Sequence, residues 1–154
     1  MIPKKPNKIL AISSGGGHWV QMRRLRPAFA GLDVVYVSVK ADYAQDTPGC
    51  RFYTVRDVNR WDRFGFVILS LQLIKILWRE RPDVVITTGA APGLLAICLA
   101  RLMLGSKTMW IDSLANCGRV SGSGSLARRF VHVCLTQWPH LKQDDGPDYW
   151  GAVL

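Results

Sequence analysis

Short apolar runs alternate along the chain with longer stretches whose apolar residues recur at helical spacing. Residues 8–13 predict a first strand, and residues 18–30 place Met22, Leu25 and Phe29 on one helical face. Pro27 lacks an amide hydrogen and should end or kink that helix near Arg26. Further strands are predicted over 33–39, 51–55, 83–88, 107–112 and 130–136. Helices are predicted over 62–81, stopped before Pro82, and over 94–104. Residues 89–93 read as the turn into the second of these helices, and 117–125 as a loop rich in glycine and serine. Continuous apolar strands separated by helices imply βαβ units and a parallel sheet. The fold class that follows is α/β, a doubly wound, Rossmann-like sheet.

The helix at 62–81 carries more apolar surface than a single core needs. With Phe64 at 0°, its apolar residues sweep from roughly 120° to 340°, whereas a core-facing stripe is only somewhat wider than 100°. Gln72, Lys75 and Arg79 form the narrow polar arc, and Arg60, Trp61, Arg63 and Arg79 flank the helix. Burial under a second layer, a partner subunit or lipid would each satisfy the excess, and aromatic and basic flanks suit an interfacial element. On the first helix Trp19, Arg23 and Arg26 share a face, which suits a membrane headgroup region, a polyanion or simply a solvated polar surface. The segment 141–154 opens with Asp144, Asp145 and Asp148 and closes on Trp150, Val153 and Leu154. It is expected to be a strand or plug that docks on residues 1–140 or on another chain.

The chain has 154 residues, enough for one hydrophobic core, and is 49% apolar, which excludes a disordered tail. Its 20 Lys and Arg against 11 Asp and Glu give a net charge of +9, which directs attention to phosphorylated ligands, nucleic acid or an anionic membrane. No helix-turn-helix, zinc-finger or aromatic RNA-binding pattern supports nucleic acid. Four cysteines without CxxC spacing argue against a metal site and fit a reducing cytoplasm. No secretion signal is expected at the N-terminus, and no apolar run reaches the ~18 residues of a membrane span.

In a doubly wound sheet the ligand crevice lies at the carboxyl ends of the strands. Ser13-Ser-Gly-Gly-Gly-His18 follows the first strand there, and its glycines and free helix-start amides suit a phosphate. It is neither a Walker A loop nor a GxGxxG fingerprint. A turn that merely packs helix on strand is the plainer reading. His18 adds a group that such a turn does not need: at a helix start the dipole favours a neutral imidazole, suited to a general base. Thr87-Thr88-Gly89-Ala90-Ala91-Pro92-Gly93 is a second small-residue loop, and Asp112 closes the fifth strand, where helix capping and catalysis are both open to it.

These loops, together with Pro82-Asp83-Val84-Val85-Ile86-Thr87-Thr88-Gly89 and Trp110-Ile111-Asp112-Ser113, resemble one family along nearly the whole chain. It is the acceptor-side subunit of split GT-B glycosyltransferases, the asparagine-linked glycosylation protein fourteen family and its PssD-like bacterial relatives. The chain is also similar to the N-terminal half of MurG. The resemblance implies an inverting transferase cut in two, acting in polysaccharide or oligosaccharide biosynthesis. Gly15, Gly16 and Gly17, with Thr88 and Gly89, would cradle the diphosphate of a polyprenyl-linked acceptor. His18 or Asp112 would be the base, and no metal or cofactor is implied. The donor, a UDP-sugar of the GlcNAc or glucuronic acid class, would be bound mainly by a separate nucleotide-binding GT-B subunit. Trp150, Val153 and Leu154 would help dock that subunit. Trp19, Arg23, Arg26, Trp61, Arg63 and Arg79 would form a peripheral membrane face at the cytoplasmic side of a bacterial inner membrane. The eukaryotic members' N-terminal membrane helix is not expected here, and the second loop is less glycine-rich than MurG's. The alternative is a non-catalytic membrane adaptor that recruits and activates a catalytic subunit.

Overall fold

The computed structural model describes residues 8–153. Seven parallel strands form one sheet: β1 (Lys8–Ile12), β2 (Asp33–Ser38), β3 (Arg51–Thr54), β4 (Val84–Thr87), β5 (Lys107–Ile111), β6 (Val133–Thr136) and β7 (Asp148–Tyr149). Their order is β3-β2-β1-β4-β5-β6-β7, so β1 pairs with β2 on one side and with β4 on the other. The expected Rossmann-like α/β fold is present. The 141–154 segment supplies the seventh strand, beside β6.

Four helices cover the sheet: α1 (Gly17–Arg24), α2 (Arg63–Glu80), α3 (Ala90–Leu104) and α4 (Gly122–Ala127). The strands alternate their side chains between two cores. Leu10, Ile12, Val85 and Trp110 pack with Leu69, Leu73 and Leu77 of α2 and Ala96 and Ile97 of α3. On the opposite face Ile9, Ala11, Tyr36 and Ile86 pack with Trp19 and Met22 of α1 and with Phe29.

Local chemistry sets the ends of the elements. Pro27 cannot donate an amide, so α1 stops at Arg24, close to the break expected near Arg26, and a 3₁₀ turn, Arg26–Phe29, follows. Asp62 caps α2 by accepting from the Gly65 amide at 2.8 Å, and Arg81 closes it in the left-handed conformation ahead of Pro82. The third helix begins at Ala90, four residues before the expected start, because a proline in the first turn forfeits no intrahelical bond. The expected 117–125 loop contains the start of α4, which Ser121 caps by accepting from Gly124. The sixth strand is shorter than expected, with Phe130 outside it and exposed.

At the amino-terminal edge of the sheet, Glu80 is 97% buried, as its 3% exposure shows. Arg51 at 2.9 Å, Lys8 at 3.4 Å and the Tyr53 hydroxyl at 2.5 Å surround its carboxylate, and Arg51 also forks onto Asp33. This bond to Glu80, more than burial, raises the Tyr53 phenol above its ordinary pKa.

Candidate active site

Register brings the two candidate loops together. Ile12 at the end of β1 lies beside Thr87 at the end of β4, so residues 13–18 and 88–91 leave the sheet side by side. This is the point where the strand order reverses, the place where doubly wound sheets bind ligands. Gly16 caps α1 at φ 65°, a left-handed conformation that costs glycine little, and its amide donates to the Tyr43 hydroxyl at 3.0 Å. The amides of Gly17 and His18 have no acceptor among the described residues. The same holds for Ala90 and Ala91 at the start of α3. Two helix starts therefore present free N–H groups at one edge.

His18 joins the two loops. Its Nδ1 lies 2.8 Å from the Thr88 carbonyl, and the Thr88 hydroxyl donates to the His18 carbonyl at 2.7 Å. A carbonyl oxygen only accepts, so Nδ1 carries the proton and Nε2 keeps its lone pair in the neutral ring. Gly89, at φ 131°, lets the imidazole sit there: a Cβ at this position would lie 2.7 Å from His18 Cε1. Ala90, a non-glycine residue at φ 67°, stores backbone strain at the same turn. The Ser13 hydroxyl, fully buried at the end of β1, is without a hydrogen-bond partner among the described residues.

Asp112 is 2% exposed and heavily engaged. Its carboxylate accepts from Trp110 Nε1, Asn116 Nδ2, the Ser121 amide and the Ser121 hydroxyl at 3.1, 3.2, 2.9 and 2.6 Å. That arrangement pins the 113–121 loop and supports the cap of α4. It leaves little lone-pair capacity for a substrate proton. A buried amide network adjoins it: Gln137 Nε2 donates to Gln21 Oε1 and to the Asp112 carbonyl, and Gln21 Nε2 donates to Ser113 Oγ.

Two further residues belong to the site and were not singled out from the sequence. Tyr43 receives the Gly16 amide, and its ring stacks on Trp19 at 4.9 Å with 3° between planes. Lys40 follows β2 at the same sheet edge; its Cε would lie 3.7 Å from a Cβ placed on Gly15, and its ammonium sits 5.8 Å from the centre of the Tyr43 ring. A cation following a strand end, at the same edge as Ser13 and Thr88, was the available signal.

The expected membrane face divides. Trp19 is 2% exposed, donates to Asp46 at 2.8 Å and lies in the core, so it faces no membrane. Arg23 pairs with Asp46 at 3.6 Å, and Arg26 donates to the Asp46 carbonyl. These residues of the α1 segment lie on the opposite side of the sheet from α2, so they cannot share one surface with Trp61, Arg63 and Arg79. On α2 the outward stripe of Phe64, Val67, Leu71 and Trp78 is exposed, as is Trp61 before it. Arg60, Arg63, Arg79 and Arg81 are exposed at its two ends.

The tail closes part of an open apolar groove of about 560 Å³ over the strand face formed by Ile9, Ile86, Ile111 and Leu135. Val153 is bound to this chain, its amide donating to Gln137 Oε1 and its carbonyl accepting from Arg24. Trp150 stays 65% exposed on the rim, and Leu154 lies outside the described residues. Among the described residues no helix is long and apolar enough to cross a membrane, and no cluster of side chains suits a metal ion.

In sequence, no protein-family model and no curated protein matches the chain. In structure it superposes on MurG from Acinetobacter baumannii with a TM-score of 0.74 at 12% identity, over 96% of this chain and 46% of that one. The fold is a GT-B-like half. The chain is also similar to UDP-N-acetylglucosamine 2-epimerase from Rickettsia bellii (TM-score 0.65, 14% identity, 88% and 40% covered). The epimerase from Neisseria meningitidis bound to UDP-GlcNAc gives a TM-score of 0.62 at 12% identity, with 84% and 40% covered. The chain spans less than half the length of each of these proteins.

Proposed function

We propose that this chain is the acceptor-binding half of a two-part, inverting glycosyltransferase that uses a UDP-sugar and a polyprenyl-diphosphate-linked acceptor. The observation that carries the reading is His18, clamped through Nδ1 to the Thr88 carbonyl with Nε2 left to accept, between two helix starts with free amides. A diphosphate at this edge would meet the Gly17, His18, Ala90 and Ala91 amides and the Lys40 ammonium. Nε2 of His18 would take the proton of the acceptor hydroxyl as its oxygen attacks the anomeric carbon of the donor sugar. The bond to the UDP oxygen breaks with inversion, and UDP leaves with the electron pair. Such base catalysis contributes typically 10²–10⁴-fold. Asp112, saturated by its four donors, would hold the loop rather than act as base.

The donor, of the GlcNAc or glucuronic acid class, would be held mainly by a second GT-B-like subunit, as the resemblance to split GT-B transferases implies. The groove rimmed by Trp150 and Val153 is the surface offered to that subunit. The outward face of α2, with its arginine ends, would rest on the anionic cytoplasmic leaflet of a bacterial inner membrane, each basic residue near the surface adding about 1 kcal/mol.

Reconstitution tests this reading. The chain and the nucleotide-binding subunit that co-purifies with it should each be inactive alone and transfer sugar together onto a polyprenyl-diphosphate acceptor. Transfer by the partner alone, merely stimulated by this chain whatever stands at residue 18, would make it an adaptor instead.

A further inference from the structure

A second apolar cleft, of about 400 Å³, opens between α2, α3 and α4. Phe66, Leu94, Leu95, Cys98 and Leu126 line it, and Arg60 and Ser123 are its polar members. Ala91 also lines it, and Ala91 belongs to the first turn of α3, whose free amides face the candidate diphosphate site. At its α2 side the cleft meets the segment bearing the exposed Trp61 and Phe64. We propose that this cleft seats the first isoprene units of the acceptor's polyprenyl chain, leading it from the diphosphate towards the apolar face of α2.

The inference rests on the acceptor reading above and adds a subsite to it. Continuity through Ala91 selects the occupant: a hydrocarbon entering here would be joined to a group held at the start of α3. The lining offers no pattern of donors and acceptors for a nucleobase or a sugar. The volume falls in the range that takes a small ligand, so only the head of a long carrier chain would be held, with the remainder passing to the membrane. Arg60 on the rim suits the anionic end of such a molecule rather than its tail.

The half-buried Cys98 makes the cleft measurable in the isolated chain. Burial raises its thiol above the ordinary pKa, so its alkylation is slow and reports access. Cys117 is exposed and serves as the internal control. The probes are geranylgeranyl diphosphate, dimethylallyl diphosphate and geranylgeraniol, kept below aggregation, with alkylation by maleimide read at each cysteine by peptide mass spectrometry. Geranylgeranyl diphosphate should slow Cys98 at least about 10-fold and leave Cys117 unchanged. Dimethylallyl diphosphate should bind without protecting Cys98. The cleft-filling Cys98→Trp should bind the C5 diphosphate as the wild type does and lose the roughly 10-fold or greater advantage of the C20 chain. Protection by the alcohol, without binding of either diphosphate, would keep the cleft and remove the diphosphate site. Binding of both diphosphates with Cys98 unprotected would overturn the cleft, as would equal slowing of Cys98 and Cys117.

Discussion

At position 89 a methyl group is too large. Glycine there serves two ends at once, a φ of 131° and room for the His18 ring, which a Cβ would approach at 2.7 Å. Gly89→Ala should therefore displace the imidazole, lower stability by about 1–3 kcal/mol and reduce transfer at least 10-fold. Denaturant midpoints and transfer rates measured side by side would check this, and a fully active, fully stable variant would count against the clamp. His18 and the glycines before it could be read from the sequence, because a strand, a glycine run and a helix start are local patterns. Thr88 as the partner of His18 depends on β1 lying beside β4, a pairing across 70 residues that no local pattern shows. Tyr43 was missed for the same reason, whereas Lys40 follows a strand end and could have been found by its place after β2. Cys134 offers an independent check on the interior beside Asp112. Burial first, and the Asp112 charge second, push its thiol up to about 11. Its contribution to stability is complete below the ordinary thiol value and is lost as pH rises from there through about 11. At pH 8, Cys117 should react with iodoacetamide within minutes while Cys134 stays unmodified. Rapid labelling of Cys134 in the native protein would show that the interior at β6 opens.

Among the elements, α2 carries the strongest division of labour. Leu69, Leu73 and Leu77 are at most 1% exposed, whereas Phe64 and Leu71 are 74% and 63% exposed. Leu69→Ala should cost about 2–5 kcal/mol, the usual range for an emptied core site. Leu71→Glu should change stability by no more than about 0.5 kcal/mol and abolish binding to anionic vesicles, measured by co-sedimentation. Wild-type vesicle binding by Leu71→Glu would detach the membrane role from this face. The excess apolar arc of α2 was legible in the sequence because it exceeds what one core can bury. The first helix misled for the opposite reason. Trp19 lies beside arginines in the sequence, but the Tyr43 ring and the Asp46 carboxylate, brought in by the 3₁₀ turn Ala41–Asp46, make a buried place for it. Long-range packing overrode a correct wheel. The short helix α4 was hidden by its composition of glycine and serine, and only its Ser121 cap marks where it starts.

For the whole molecule, the sheet order explains where the chemistry gathers. Loops after β1, β2, β4 and β5 meet at one edge, and each brings one part of the site: the glycine run with His18, Lys40, the Thr88–Ala91 turn, and Asp112 with its pinned loop. The opposite edge holds the Glu80 network, whose role is structural. Glu80→Ala should lower stability by about 1–3 kcal/mol, since it leaves the Tyr53 hydroxyl without its acceptor while Arg51 and Lys8 keep Asp33. It should leave acceptor binding unchanged, because the strands separate the two edges. The positive surplus includes the exposed arginine ends of α2 and Lys40 after β2, while Arg23 is paired with Asp46 and Arg26 bonds the Asp46 carbonyl. The most direct test of the half-enzyme account is the transfer rate of the reconstituted pair carrying His18→Ala. The account predicts a fall of roughly 10² or more, with the fold and partner binding intact. Turnover near that of the wild-type pair would contradict it.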